Sequence, residues 1–469
     1  MAFLDELTQG TNYTTTENGA LTHVSSLNAC LDFFALGGAK RNDLEGGERL
    51  FAKALSEDVE KAIRTVFYFR DIRGGQGERT VCRAYLRELY KIKPQVFKQI
   101  IGFVPEYGRW DDLIDFVDCE EVQQLIKNQW EQDLDATHPS LLAKWLPSHN
   151  TSSAKTRKKG RQWAAVLCEG DVRKYRKALS RLRATLRVLE CDMTAGRWGA
   201  IQYSSLPSQA LRKHTAAFWR HDEHRYNEYL ANVKKGTEKV NTSTLYTYEV
   251  YDLLHKDETT AEVIWQNLPI YTQDNALVVA DVSGSMTGRP MSVSVSLALY
   301  FAEHNKGTFA GKFMTFSRRP HLVSVVGDTL REKVRNIERA DWDMDTNIEA
   351  VFDVVLNAAV NSHATQEDLP KVIYIVSDME FNECSNPSQT IFDNAREKFE
   401  AKGYSLPTLV FWNVNARSNA VPVTAYDNNV VLVSGCSQTV FDMAVSGKNP
   451  IECMNDVLNS ERYSQIKIN

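Results

Sequence analysis

The sequence predicts an α + α/β protein: a helical-repeat array over residues 1–270 followed by a doubly wound parallel-sheet domain over residues 271–469. Three observations predict it. Apolar residues recur at three- and four-residue steps up to about residue 265, with Gly and Pro closing each run. From about residue 271 short apolar runs alternate with helical patterns. The first of those runs ends in Asp281-x-Ser283-x-Ser285, which gathers oxygen donors at the end of an expected strand.

With 469 residues, 43% hydrophobic and 25% charged, the chain can bury ample core and is not a disordered or collagenous polymer. No run approaches the ~18–20 apolar residues of a membrane span. The start, Met1-Ala2-Phe3-Leu4-Asp5-Glu6, lacks the basic and then apolar pattern of a secretory signal. The eight cysteines are scattered, with no C-x-x-C pair, which argues against a zinc ribbon or a disulfide scaffold and suits a reducing compartment. A cytoplasmic protein with no membrane contact, acting as a monomer, is expected.

In the first half, Leu50, Phe51, Leu55, Val59, Ile63, Val66 and Phe67 mark an amphipathic helical pattern. The glycines of Arg70-Asp-Ile-Arg-Gly-Gly-Gln-Gly-Glu-Arg79 predict a tight turn between two helices. No strand precedes them and no Gly-Lys-Ser/Thr follows, so a phosphate-binding P-loop is disfavoured. Residues 105–112 should open the next helix, with Asp111 or Asp112 suited to its N-terminus. Residues 147–161 read as a flexible basic loop. Val172, Tyr175, Leu179, Leu182, Leu186 and Leu189 define one buried stripe of a long helix. His221-Asp-Glu-His224 offers two histidines on one helix face without a matching third ligand, which reads better as polar surface than as a metal site.

Charge is uneven along the chain. Residues 271–469 carry 17 Lys and Arg against 24 Asp and Glu, whereas residues 144–187 carry 13 Lys and Arg against only Glu169 and Asp171. Such a segment is either a solvated helix face or a polyanion site. The cations off the helical stripe can track a phosphate backbone. The candidate RNA contacts are Lys155, Arg157, Lys158, Lys159, Arg161, Arg173, Lys174, Arg176, Lys177 and Arg181, extended by Arg212 and Lys213. Trp145, Trp163, Trp198, Tyr203, Phe218 and Trp219 interleave with them and are either core or platforms for bases.

In the second half, strands are expected over 275–281, 312–316, 322–326, 372–376, 408–412 and 430–433. Helices are expected near 292–304, 330–339, 347–359, 390–402 and 437–446. A doubly wound sheet places its site beyond the carboxyl ends of its strands. Asp281, Ser283 and Ser285 occupy one such end, Asp378 ends a second apolar strand, and Thr346 precedes a helix. Two carboxylates and three hydroxyls, with waters completing the shell, suit Mg²⁺, with Mn²⁺ or Ca²⁺ as substitutes. An enzyme is not expected. Gly284-Ser285-Met-Thr-Gly288 sets the serine at the wrong position for a nucleophile elbow, and no Cys/His or Ser/His/Asp set shares one neighbourhood.

Asp281-Val-Ser283-Gly-Ser285 with Thr346 and Asp378 resembles the metal-ion-dependent adhesion site (MIDAS) of von Willebrand factor A domains. One departure is Met379-Glu380, where that family usually has a small residue, often Gly, after the last Asp. HEAT-like helices followed by an A domain resemble the TROVE-type Ro ribonucleoproteins. In these the helices form a closed ring and the A domain helps to close it. The runs at 70–79, Tyr107-Gly-Arg-Trp-Asp-Asp112 and Lys144-Trp-Leu-Pro147 are closer to viral and plant proteins of the same layout. The Ro resemblance implies RNA binding, with single-stranded ends in the ring and helical RNA on the basic face. The expected function is an RNA-binding scaffold with a Mg²⁺-binding A domain. The alternatives are a metal-dependent adaptor, in which a partner's carboxylate completes the metal shell, and a structural component of a virus or phage particle.

Overall fold

The computed structural model describes residues 12–271, 275–340, 346–442 and 448–468. It is a helical N-terminal region followed by an α/β region built on a mixed, mostly parallel sheet, as the sequence predicts. Packing divides the chain into two compact units. One takes the chain up to Phe69 together with Arg73–Tyr85 and Thr242–Gln465; the other takes Arg70–Ile72, Leu86–Asn241 and the last residues from Ile466.

The first unit is built around strands β3 (Ala276–Ala280), β4 (Lys312–Thr315), β5 (Leu322–Ser324), β6 (Val372–Ser377), β7 (Thr408–Asn413) and β8 (Val430–Ser434), after a small hairpin of β1 (Tyr13–Thr15) and β2 (Leu21–His23). The sheet order is β5-β4-β3-β6-β7-β8, with β5 antiparallel to β4 and every other pair parallel. Every residue of β3, β6, β7 and β8 is buried, which is why these strands read as unbroken apolar runs rather than as alternation. Successive strands go to opposite sides of β3, so the topological switch point lies between β3 and β6, and their carboxyl ends form its crevice.

The helices around the sheet start where their caps dictate. Asn347 caps Ile348–Ser362, Thr390 caps Ile391–Glu400, and Thr329 with Glu332 forms a capping box for Leu330–Glu338. The helix expected over 437–446 begins as a 3₁₀ turn, Gln438–Asp442; residues 443–447 lie outside the described residues.

The packing does not follow the cut expected at residue 270. The helices Ala29–Leu36, Leu44–Glu57 and most of Val59–Arg70 belong with the sheet. Phe34 stacks on Tyr68 at 5.2 Å, Tyr68 meets Tyr463 edge-on, and Ser434 on β8 donates to the Phe34 carbonyl at 3.3 Å. A helical stripe announces that it will be buried but not which partner will cover it. The stripe from Leu50 to Phe67 is also two helices, because Asp58 adopts an extended conformation between them.

The second unit is helical. Its longest helix, Ser208–Lys234, breaks its regular geometry at Asp222 (φ −151°, ψ 40°). Residues 105–112 form a one-turn helix, Val104–Tyr107, and a 3₁₀ turn, Trp110–Asp112, rather than the start of a long helix. The basic stretch 147–161 is not a loop throughout: Ser153 caps a helix over Ala154–Cys168. Glu169 (φ 51°) and Gly170 (φ 85°) turn the chain in the left-handed region, and Asp171 accepts from the N–H groups of Arg173 and Lys174 to start Val172–Thr185. Tyr175, Leu179 and Leu182 are buried as their spacing predicts. The stripe then stops: Arg187 is left-handed (φ 48°), and Leu189 opens a separate short helix, Leu189–Thr194.

Candidate metal centre and nucleic-acid interface

Asp281 follows β3 directly, and its N–H extends the ladder to the Val376 carbonyl at 3.1 Å, which sets it beside Ser377. Both Asp281 oxygens are engaged: Oδ1 accepts from the Ser283 N–H at 2.8 Å and Oδ2 from the Ser377 hydroxyl at 2.6 Å. The Ser283 and Ser285 hydroxyls lie 3.1 Å apart, with Ser283 buried and Ser285 exposed. Burial, reinforced by the nearby Asp378 carboxylate and opposed by the bonds from Ser377 and Ser283, pushes the Asp281 carboxyl up to about 6.

Asp378 is 1% exposed, and its Oδ2 has no hydrogen-bond partner. The Arg417 guanidinium lies 3.7 Å away, and its other terminal nitrogen pairs with Glu17 at 2.6 Å. An orphaned, buried carboxylate oxygen next to a second carboxylate and two hydroxyls is what a divalent cation would satisfy, so the donor set fits a metal. Among the described residues no cluster of three His, Cys, Asp or Glu side chains could hold an ion. A cation here must rely on the hydroxyls.

Thr346 is tied to the loop that follows Asp378. Its Oγ1 meets the Glu380 carbonyl at 3.1 Å and Asn382 Oδ1 at 2.7 Å, and accepts from Asn18 Nδ2 at 3.0 Å. No hydrogen bond joins it directly to the other four residues. Asn18 belongs to the β1–β2 hairpin, whose tip is fastened to this loop: the Glu17 N–H donates to Glu380 Oε2 at 2.8 Å and Thr16 Oγ1 to the Phe381 carbonyl at 2.6 Å. Met379 has φ 68°, a conformation in which glycine is least strained, and Glu380 is buried behind it. Of the polar residues around the centre, the sequence flagged Glu380 only as a departure from the usual small residue. Asn18 and Arg417, far away along the chain, gave no signal.

On the second unit, the Ala154–Cys168 and Val172–Thr185 helices pack together. Lys155, Lys158, Arg161, Arg173, Lys174, Arg176 and Lys177 are exposed. Lys213 is exposed on another helix, Ser208–Lys234. Four other candidates have structural partners. Arg157 bonds the Thr151 and Ser152 carbonyls, Lys159 pairs with Asp115, Arg181 donates to the Leu134 carbonyl, and Arg212 donates to Gln209 Oε1. Three of the six interleaved aromatics, Trp163, Tyr203 and Phe218, are core, and the Arg109 guanidinium lies 3.9 Å over the half-buried Trp145. His221 stacks on Trp198 at 4.4 Å, and Asp222 accepts from Tyr203 and Arg225, so this stretch is polar packing.

Fold and site together define a protein that joins a cation-bearing helical unit to a doubly wound sheet with a hydroxyl-and-carboxylate cluster at its switch point. The chain belongs to the family described as Domain of unknown function (DUF2828), whose model matches residues 16–102 and 117–276; a second, Domain of unknown function (DUF7788), matches residues 275–466. The chain is 30% identical, over an alignment 520 positions long, to the uncharacterized protein L728 of Acanthamoeba polyphaga mimivirus, across 98% of this chain and 89% of that protein. A crystal structure of the Deinococcus radiodurans Ro (RSR) protein is similar at a TM-score of 0.39 and 12% identity, over 91% of this chain and 93% of the other. No helix among the described residues is long and apolar enough to cross a membrane.

Proposed function

We propose that this protein is a non-enzymatic RNA-binding scaffold whose α/β unit carries Mg²⁺. The observation that supports it most is the set of seven exposed cations, Lys155, Lys158, Arg161, Arg173, Lys174, Arg176 and Lys177, on two helices packed together. Helices hold such charges at fixed spacings, and releasing counterions from RNA phosphates drives association. The hydrophobic stripe beneath fixes the helices, so little ordering is needed on binding. The test is fluorescence anisotropy of a structured RNA with the full chain. Reversing Lys155, Lys158, Arg161 and Arg173 to Glu should abolish binding; unchanged binding would refute the reading.

A second reading, a metal-dependent adaptor, is favoured by the orphaned Asp378 Oδ2. Asp281, Ser283, Ser285, Thr346 and Asp378 would hold the ion. Bound there, Mg²⁺ would supply an electrophilic position open to a carboxylate or phosphate oxygen from a partner. Partner retention that EDTA or Asp281→Ala abolishes, and RNase leaves intact, would select this reading over the first.

A further inference from the structure

The Val172–Thr185 helix and residues 148–150 enclose a polar cleft of about 580 Å³ in the helical unit. Ser148, His149, Asn150, Arg176, Lys177 and Arg183 line it, and no carboxylate does. Arg183 is the informative member. Its Nε donates to the Ala143 carbonyl at 2.9 Å, one terminal nitrogen to Ser148 Oγ at 2.8 Å, and the other to the Leu146 carbonyl at 2.7 Å. These bonds lock the guanidinium in place, yet every acceptor is neutral. Two of its five N–H groups remain.

A partly buried charge with no carboxylate hydrogen-bonded to it is costly, and burial lowers the Arg183 pKa from its ordinary value, only partly offset by Tyr175, Cys191 and Glu190. Elsewhere in this region Lys159 is neutralised by Asp115, while Arg157 and Arg181 bond neutral carbonyls outside the cleft. In the cleft Arg176 and Lys177 instead add two further positive charges beside Arg183. The cleft thus gathers three cations with no carboxylate among its lining residues.

We infer that this cleft is a seat for a phosphate monoester, the charged end of a nucleotide or of an RNA chain. A monoester carries about −1.5 to −2 charge and three terminal oxygens, which matches three permanent cations and a donor-rich wall better than the single charge of a chain-internal phosphate. The volume falls within the ~300–1,000 Å³ usual for small-ligand sites, so the nucleoside next to the phosphate has room as well. The RNA-end form rests on the scaffold reading above; the nucleotide form does not.

The experiment compares short single-stranded RNAs with a 5′-phosphate, a 3′-phosphate or hydroxyl ends, with adenosine and uridine monophosphates as separate probes, on the full chain. Expected is at least tenfold tighter binding of one phosphorylated end. Arg176→Gln with Lys177→Gln, both exposed and so safe for folding, should erase that preference. Lys155→Gln with Lys158→Gln, outside the cleft, should weaken all three RNAs alike. RNA binding blind to its ends would overturn the seat while leaving the scaffold reading standing. Monophosphate binding lost in the Arg176/Lys177 variant, with no RNA bound, would support the seat as a nucleotide site and sink the scaffold reading. No binding of any probe would sink both.

Discussion

Arg417 lies 3.7 Å from Asp378 Oδ2, the buried carboxylate oxygen that no hydrogen bond satisfies. It is a resident monocation at the edge of the candidate metal centre, held there by Glu17 at 2.6 Å. A divalent ion at Asp378 must work against this charge. Arg417→Gln should therefore tighten Mn²⁺ binding by about threefold to tenfold, a modest gain because the arginine is partly exposed and screened. Weaker Mn²⁺ binding, measured by paramagnetic titration, would show instead that Arg417 props the site open.

Metal removal should register as lost stability. A ligand that binds only the folded state stabilises it by about 2.7 kcal/mol at a hundredfold excess over its dissociation constant. Calorimetry in Mg²⁺ and in EDTA should differ by several degrees for the natural chain. Asp378→Asn should unfold at the same temperature in both. A shift that persists in that variant would place the ion elsewhere.

In the helical unit the Arg70 guanidinium donates from Nε and a terminal nitrogen to Asp112 Oδ2, both at 2.8 Å, and the Arg109 N–H donates to the same oxygen. The two residues are 7% and 0% exposed. Gly108 is required beside them, since a Cβ there would sit 2.6 Å from Asp112 Oδ2. Asp112→Ala should cost about 3–5 kcal/mol by leaving the arginine buried and unpaired, whereas Arg70→Met with Asp112→Leu should cost far less. Urea unfolding of the two variants checks this. Arg70, Gly108 and Asp112 thus brace the helical unit.

Strands β3, β6, β7 and β8 were legible because parallel strands buried on both faces leave unbroken apolar runs, and the Asp281-Ser283-Ser285 cluster because its spacing is local. What the sequence could not show was contact between distant segments. Asn18 meets Thr346 across 328 residues, and no local pattern encodes that. Nor did the tally of basic residues separate Arg183, which ties three backbone and hydroxyl oxygens together, from Arg176, which faces the cleft. Residues 154–161 read as a loop because lysines outnumber apolar residues there; Gly160 packs so close to residues 148–149 that a Cβ would meet backbone at 2.7 Å, so the helix is fixed on a face that carries no apolar signal.

Phosphate contacts leave a measurable signature. Each contact contributes about −0.7 to −0.9 to the slope of log affinity against log salt. Converting Lys155, Lys158, Arg161 and Arg173 to Gln should therefore reduce the slope by about 3. Converting Lys159, which pairs with Asp115, and Arg157, which bonds the Thr151 and Ser152 carbonyls, should change the slope little and the thermal stability more. Equal slopes in the two variants would mean that the exposed cations do not contact phosphates.

The hairpin that touches the metal loop carries a pH-sensitive residue at its other end. His23 on β2 exchanges backbone hydrogen bonds with Val421 at 3.0 and 2.9 Å, and burial lowers its pKa from 6.5, only partly offset by Asp427 and Asp393. A base whose folded pKa is depressed contributes stability above its ordinary value, and that contribution is lost as pH falls through the folded value. Acidification below pH 6.5 should thus loosen the hairpin, and with it the Asn18 bond to Thr346, before the sheet core responds. Hydrogen exchange at the His23 and Val421 amides should accelerate as pH falls below 6.5, after correction for intrinsic rates, and His23→Gln should flatten that dependence. Acceleration that survives the substitution would assign the pH response to a carboxylate.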